Sequence, residues 1–477
     1  MIRFLHGNTV IELSDEDPRM TVLHWLREVR QMTGTKQGCG AGDCGACTVV
    51  IGRVRAGKMY YHTASSCLLM LHQLEGGQLL TIENLACGKS LHPVQQLLVK
   101  HHASQCGFCS PGMAMSLFGL QKSATGDSLR NIERHLAGNL CRCTGYRPLV
   151  LAAAAATRLR KPDQFSREAP QTAARLAALK SSRGGPDTRE DNCLLPQTLP
   201  ELVALYRQYP DARLVAGGTD LALDMARQHL PAPRLIALHQ VGELAGVTLR
   251  GREVCIGATT PISDIQYALR PHLPAVAQIL DRFASEQIRH QATPGGSLAN
   301  ASPVGDIAPI LMALGATLEL HSYRGSRQIP VSDFFTAWRR TVLQDGEFIA
   351  AIRFDLPAAN QALLLRKITR RQDDDIATLF AAFWLHMEDA RVVNARLAFG
   401  GMAATPVRAR HTEQQLNGHL LTPLLIRQAI AGLAEDLQPI DDVRASGAYR
   451  LAVAGNLLRH FLRQAQSAGI PAPQEAL

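Results

Sequence analysis

A multidomain α+β protein is the fold class this sequence predicts, from three observations. They are its length, a strand-rich opening stretch followed by a helix-rich one, and a long remainder in which helices and strands alternate. At typical domain sizes, 477 residues make three or four domains, each able to bury a core. Charge is moderate, at 19% Asp, Glu, Lys and Arg. No apolar run reaches the roughly 18 residues of a membrane span, so a soluble globular chain with no membrane partner is expected.

The elements follow in order. Ile2–Leu5 and Val10–Leu13 read as a hairpin around His6-Gly7-Asn8-Thr9. Thr21 is a plausible cap for a helix that places Val22, Leu23, Leu26 and Val29 on one face. Thr48–Ile51 and Met59–Tyr61 are further strands. From 90 to 158 the pattern turns helical, at Pro93–His101, Pro111–Gln121, Leu129–Leu136 and Pro148–Leu159. Each proline there suits a first turn, and Ser110 can cap the second helix. Residues 161–192 lack a long apolar period and read as a linker with a short helix at Ala173–Leu179. From Leu194 to about Leu356 helices and strands alternate, with two glycine-rich turns. From Leu363 onward, strands such as Val392–Phe399 precede helices such as Pro423–Leu433 and Ala448–Gln464. The expected domains are 1–82, 83–160, the linker 161–192, 193–362 and 363–477.

The formal charge is +9. Arg and Lys are scattered without interleaved aromatics, which argues against nucleic acid and for an acidic partner or an anionic cofactor. The opening Met1-Ile2-Arg3-Phe4 reads as strand and not as a secretory n-region, so a cytoplasmic location with reduced thiols is expected.

Eight of the eleven cysteines fall in two groups, the distribution that metal ligation produces. The first is Cys39-x4-Cys44-x2-Cys47 with Cys67 following. Its spacing is that of plant-type ferredoxins, and four thiolates are the usual ligand set for a [2Fe–2S] cluster. Gly38, Gly40, Gly42 and Gly45 give the loop left-handed angles and bare amides for an anionic cluster. Zinc rarely uses such spacers in so glycine-rich a loop. Gly38-Cys39-Gly40-Ala41-Gly42 imitates a dinucleotide fingerprint, but no βαβ unit surrounds it. The second group is Cys106-x2-Cys109 with Cys141-x-Cys143, each pair at a helix end, where the dipole favours thiolate. Alone it suits zinc or iron; beside the first group, a second [2Fe–2S] cluster is the reading. Cys87, Cys193 and Cys255 are left as small buried apolar side chains by default.

Gln105-Cys106-Gly107-Phe108-Cys109-Ser110-Pro111-Gly112 and Asn139-Leu140-Cys141-Arg142-Cys143-Thr144-Gly145-Tyr146-Arg147-Pro148 closely resemble the two-cluster domains of the xanthine oxidase family of molybdenum hydroxylases. Leu214-Val215-Ala216-Gly217-Gly218-Thr219-Asp220-Leu221 resembles the family's first flavin loop. By itself it is a Gly-Gly-Thr turn after an apolar strand, able to face a pyrophosphate or simply to connect strand to helix. Thr293-Pro294-Gly295-Gly296-Ser297-Leu298-Ala299-Asn300-Ala301-Ser302-Pro303-Val304-Gly305-Asp306 resembles the second flavin loop. The resemblance implies that Thr293, Gly295, Gly296 and Asn300 approach FAD and that Asp306 and Lys367 lie near its ring. It implies that Phe283 packs on the ring, where the alternative is an ordinary core Phe, and that Asp373–Asp375 lie beside an NAD site, where the alternative is a solvated turn. His290 departs from the family's usual Asn and is given no role.

The fold so implied is a ferredoxin-like β-grasp domain, a four-helix [2Fe–2S] domain, and an α+β FAD-binding domain of the vanillyl-alcohol-oxidase type with an α+β C-terminal module. The order of cluster, cluster and flavin resembles the small subunit of the family's bacterial two-chain members, whose large subunit holds the molybdopterin. The resemblance therefore implies a molybdenum-cofactor partner, a heterotetramer of two small and two large subunits, and purine oxidation on that partner, such as that of xanthine or hypoxanthine. Electrons would pass through both clusters to FAD and NAD, with Gln105 and Cys143 toward the pterin. An aldehyde or another N-heterocycle remains open as the substrate. So does a self-contained flavin reductase, and so does a non-enzymatic assembly or storage scaffold.

Overall fold

Gly7, at φ 57°, makes the two-residue turn between strands Ile2–His6 and Thr9–Leu13, because a tight hairpin needs a positive φ there. A computed structural model describes residues 1–123, 126, 128–159, 161–181, 192–228 and 233–468. Its backbone divides into two units. Met1–Gln197, Asp211–Gln240 and Ala284–Ala292 form one, and Thr198–Pro210, Val241–Phe283 and Thr293–Leu477 form the other.

In the first unit the hairpin joins a five-stranded mixed sheet. Its order is Thr9–Leu13, Ile2–His6, Gln78–Leu80, Thr48–Arg55, Lys58–Ser65, and the pair Ile2–His6 with Gln78–Leu80 is parallel. Phe4, Trp25, Val49, Ile51 and Leu79 fill its core. The helix capped by Thr21, whose hydroxyl accepts from His24 N at 3.3 Å, departs from the sequence expectation. After Val22–His24 it widens into a π-helical turn over Trp25–Val29. The wider turn seats Trp25 in the core and leaves Val29 45% exposed, so Val29 is not on the buried face.

The four helices are Pro93–Lys100, Ser110–Ser123, Leu129–Leu136 and Arg147–Thr157. Ser110 lies inside the second helix instead of capping it, and its hydroxyl meets that of Ser104 at 2.7 Å. The expected linker is a larger correction. Gln164–Ser181 is one helix, longer than the turn read at Ala173–Leu179, while residues 182–191 lie outside the described ones. What fixes it is a buried cluster no local pattern reveals. Asp163 takes His92 Nε2 at 3.0 Å and Lys122 Nζ at 2.6 Å, and Lys122 lies over the rings of Phe118, Phe165 and Tyr61. Burial raises the Asp163 carboxyl, but its bonds to His92 and Lys122 outweigh that and hold it far below the usual range.

A depressed carboxylate contributes stability that is present above its unfolded pKa, about 3.9, and is lost as pH falls below it. Asp163→Asn leaves Lys122 buried without its counter-ion. The expected cost is about 3 kcal/mol, read as a lower thermal midpoint at pH 7 and a shallower loss of stability between about pH 5 and 2 than the unmodified chain shows. An unchanged midpoint at pH 7 would contradict this.

The first unit also holds a three-stranded parallel sheet, Cys193–Leu194, Leu235–Ala237 and Arg213–Val215. Its residues Cys193, Val215, Leu235 and Ala237 pack with Cys47, Cys67, Leu68 and Met70. Cys193 is thus the small core side chain expected. Cys87 is exposed and Cys255 half-buried, so the default fails for both, since each sits on a turn or a sheet face with an open side.

The second unit contains a five-stranded antiparallel sheet in the order Gly325–Pro330, Thr317–Ser322, Phe348–Asp355, Glu253–Gly257, Val247–Arg250. A four-stranded antiparallel sheet follows, of Gln361–Ile368, Leu379–Glu388, Arg391–Gly400 and Val407–Arg408. Helices Arg410–Leu416, Pro423–Asp436 and Gly447–Ala468 cover it through Leu416, Ile426, Leu433, Leu458 and Phe461. Strand Gln361–Ile368 crosses the boundary expected at 362/363. Among the described residues, no helix is long and apolar enough to cross a membrane.

Candidate iron–sulfur and flavin sites

The loop before strand Thr48–Arg55 turns at Gly40, Gly42 and Gly45, with φ of 65°, 82° and 66°. These turns point backbone amides at sulfur. Ala41 N and Asp43 N both donate to Cys39 Sγ, and Cys39 N donates to Cys44 Sγ, each at 3.3 Å. A Cβ at Gly38 would lie 2.7 Å from Cys44 Sγ, so the sulfur occupies the space a side chain would take. Cys47 and Cys67 meet at 3.4 Å, buried. The hydrogen bond from Cys44 brings Cys39 down to about 5, and that from Cys67 lowers Cys47; the two donors are raised correspondingly.

In the second group Cys106 pairs with Cys143 and Cys109 with Cys141. Burial, then the bond to Cys141, pushes Cys109 up to about 12. Both pairs lie just before helix N-termini, those of Ser110–Ser123 and Arg147–Thr157, where the macrodipole favours anionic sulfur. Gln105 and Cys143 are exposed, as are the apolar side chains of Phe108, Leu140 and Leu151. The eight cysteines thus meet in four pairs, two in each of the groups that the spacing defines.

In both sites the sulfurs are joined two by two. That suits a binuclear cluster with two irons to hold, and not one tetrahedral ion. The amide donors and the glycine-made space fit the group as well, and bound iron would take the place of the protons the thiols hold.

A polar junction between the two cysteine sites was not legible in the sequence. Leu140 N donates to Cys44 O at 3.0 Å, linking a residue beside Cys141 to a cysteine of the first group. Asn139 Nδ2 donates to Gly45 O at 3.1 Å, while Ser116 Oγ and Gln287 Nε2 donate to Asn139 Oδ1 at 2.6 and 2.8 Å. A Cβ at Gly112 would lie 2.1 Å from Gly45 O, so only glycine allows the helix after Cys109 to approach the first loop. Gln287 lies far along the chain from both groups, and nothing local announces it.

The first glycine loop belongs to the first unit. It links strand Arg213–Val215 to helix Thr219–Gln228, with Leu214, Val215 and Ala216 before the turn and Asp220 and Leu221 in the helix. Gly218 has φ 75°. Gln73 Nε2 donates to Ala216 O and Gly217 O at 3.3 and 3.1 Å, and a Cβ at Gly217 would lie 1.9 Å from Gln291 O.

The second glycine loop belongs to the second unit. Thr293 Oγ1 caps helix Pro294–Asn300 by accepting from Gly296 N at 3.1 Å, and a Cβ at Gly295 would come within 2.7 Å of Ala258. Ala301 ends that helix at φ 51°. Lys367 and Asp306 form a buried ion pair, Nζ to Oδ2 at 2.6 Å, and Lys367 also donates to Arg282 O at 2.9 Å. Burial nevertheless keeps the Asp306 carboxyl above its ordinary range. Arg282, which the sequence reading passed over, donates to Lys367 O, Thr369 Oγ1 and Gln372 O at 2.9, 2.8 and 2.9 Å. It thereby ties the backbone beside half-buried Phe283 to the strand of Lys367 and to the acidic turn. In that turn Asp374 has φ 48°, and Asp375 accepts from the amides of Arg370, Arg371 and Ile376 at 3.0–3.1 Å. Asp375 is therefore a turn-builder.

Four families match in tandem. They are described as the 2Fe-2S iron-sulfur cluster binding domain over residues 6–88, the [2Fe-2S] binding domain over 81–154, the FAD binding domain in molybdopterin dehydrogenase over 188–357, and the CO dehydrogenase flavoprotein C-terminal domain over 365–465. The xanthine dehydrogenase of Drosophila pseudoobscura pseudoobscura is 32% identical across 96% of this chain, and the xanthine dehydrogenase/oxidase of Gallus gallus 30% across 92%. The chain spans 38% of the length of each. Among solved structures, reconstituted CO dehydrogenase from Oligotropha carboxidovorans is 30% identical with a TM-score of 0.54, over 58% of this chain and 97% of that one. Quinoline 2-oxidoreductase from Pseudomonas putida 86 is 26% identical with a TM-score of 0.52, over the same shares. The chain belongs to the molybdenum hydroxylase family, of which it carries the two [2Fe–2S] domains and the FAD-binding domain with its C-terminal module.

Proposed function

We propose that this chain is the electron-transfer subunit of an NAD-dependent xanthine dehydrogenase, joined to a partner polypeptide that holds the molybdenum cofactor and oxidises the purine. The observation that supports the proposal is the pairing of eight cysteine sulfurs, two pairs in each of two neighbouring groups on one unit. Identity to xanthine dehydrogenases across nearly the whole chain supports the choice of substrate. When bound, the clusters carry single electrons and FAD pairs them for delivery to NAD.

The chain's residues have these roles. Cys106, Cys109, Cys141 and Cys143 hold the cluster nearer the partner, and the exposed apolar side chains around them suit a docked surface. Cys39, Cys44, Cys47 and Cys67 hold the other. The Leu140–Cys44 bond and the Asn139–Gln287 network keep the two loops at fixed separation. Within the first unit Gly217–Gly218 is assigned to FAD; within the second, Gly295, Gly296 and Asn300, which share one helix, are assigned to it as well. Lys367 holds a positive charge near the ring and Asp306 fixes its position; Phe283 offers the ring a face. Asp373–Asp375 border the nicotinamide site. A heterotetramer of two copies of each subunit is the assembly this reading implies.

The purified chain should reduce an artificial dye with NADH and should not hydroxylate xanthine. Adding its partner should restore xanthine-dependent NAD⁺ reduction, and Cys106→Ser should abolish that coupled reaction while sparing the dye reaction. Hydroxylation by the chain alone would refute the two-polypeptide reading. A second reading rests on the likeness to quinoline 2-oxidoreductase and CO dehydrogenase: if the reconstituted pair ignores xanthine but turns over quinoline, the subunit role stands and the purine does not.

A further inference from the structure

The two cysteine sites differ in how their sulfurs receive hydrogen bonds. At Cys39 and Cys44 the donors are backbone amides, those of Ala41 and Asp43 to the one and of Cys39 to the other. At Cys141 a side chain donates beside backbone amides: Thr144 Oγ1 lies 3.1 Å from Cys141 Sγ. This hydroxyl is held in place on its other side, because Tyr146 N donates to it at 3.3 Å. Tyr146 in turn closes a ring with the cysteine. Its phenol oxygen accepts from Cys141 N at 2.9 Å, which engages the cysteine's own amide away from sulfur.

This arrangement is bought with backbone strain. Tyr146 sits at φ 66°, a left-handed angle that is unfavourable for a non-glycine residue. It is kept there by Val150 N, which donates to Tyr146 O at 2.9 Å at the start of helix Arg147–Thr157. Gly145 beside it is also left-handed, at 64°, and a side chain there would meet open space, so the turn is set by its own hydrogen bonds and not by crowding.

We propose that Thr144 is a positioning residue that raises the reduction potential of the cluster held by Cys106, Cys109, Cys141 and Cys143, through its hydroxyl bond to the Cys141 sulfur, with Tyr146 aiming that hydroxyl. The inference rests on that site holding a [2Fe–2S] cluster. The physical reason is that the reduced cluster carries one more negative charge, and a donor to a ligand sulfur stabilises that charge more than the oxidised form. The donor is a side-chain hydroxyl, which a substitution removes without altering the backbone.

The test is a redox titration of the purified chain followed by EPR, on Thr144→Ser, Thr144→Ala and Thr144→Val. Ser keeps the hydroxyl and should titrate like the unmodified chain. Ala and Val should each lower the equilibrium constant for reducing one cluster by about tenfold, roughly 59 mV for one electron, and leave the other cluster's midpoint where it was. Unshifted Ala and Val variants overturn the proposal. So do equal shifts of both clusters, and so does a Ser variant that moves as far as Ala. Should Val lose iron, Ala, which only removes atoms, decides alone; loss of the cluster from Ala itself assigns Thr144 a purely structural role and overturns the tuning. Failure of the underlying cluster assignment would look different, since the unmodified chain would then show only one iron–sulfur signal.

Discussion

Gly218→Val is expected to purify with its iron intact and with FAD reduced to a small fraction of one per chain. Gly218 holds φ 75°, where a β-branched residue is strained by a few kcal/mol. The chain on its N-terminal side cannot absorb the change, because Gln73 pins the carbonyls of Ala216 and Gly217. The strain must then distort the turn that faces FAD. A penalty of about 2 kcal/mol in flavin binding is a factor of about 30 in affinity, enough to strip a cofactor during purification. Gly218 is a better test than Gly217. At Gly218 an added Cβ meets Val215 Cγ2 at 3.4 Å, Gln73 Oε1 at 3.8 Å and Met70 Cε at 4.0 Å, all ordinary contacts, so the domain is not jammed; at Gly217 it would strike Gln291 O at 1.9 Å and damage folding generally. Flavin released by denaturation, measured against iron, gives the answer. Full FAD in Gly218→Val would remove the first loop from the flavin site.

The parts of this protein written in short sequence windows were legible. Cysteine spacing declared both sulfur groups, since a cluster needs its thiolates on one tight loop or on two neighbouring turns, and glycine declared where those turns bend. Strand alternation and prolines at first turns located four of the opening sheet's five strands and the four helices, but not Gln78–Leu80, a three-residue strand between Ile2–His6 and Thr48–Arg55 that is too short to show a pattern. The failures share one cause, which is that distant residues made the decision. Gln164–Ser181 is helical although its composition reads as linker, because Asp163 is locked by His92, which caps one earlier helix, and by Lys122, inside another. Val29 faces outward because Trp25, the larger side chain, takes the core and a π-helical turn absorbs the mismatch. Gln287 and Arg282 looked like ordinary polar residues. Only the folded chain brings Gln287 to Asn139 and Ser116, and Arg282 to the strand of Lys367. Asp375 shows the opposite case, a conspicuous acidic run in which one carboxylate is spent on three amides of its own turn.

The central claim is that eight cysteines hold two separate [2Fe–2S] clusters, and iron analysis with EPR of the reduced chain, before and after Cys141→Ser, tests it most directly. Cys141 is the member of the second group that is itself buried, paired with Cys109 and hydrogen-bonded by Thr144, so replacing its sulfur removes an anchored ligand and not a peripheral one. The first group does not share this side chain; its contact with the neighbouring residue is through backbone, Leu140 N to Cys44 O, which serine at 141 leaves in place. The unmodified chain should contain about four irons, two for each cluster, and show two distinct signals. Cys141→Ser should contain about two irons and show one signal, with the other unchanged in shape and midpoint. Zinc in place of iron at the second site, or two undiminished signals in Cys141→Ser, would contradict the account.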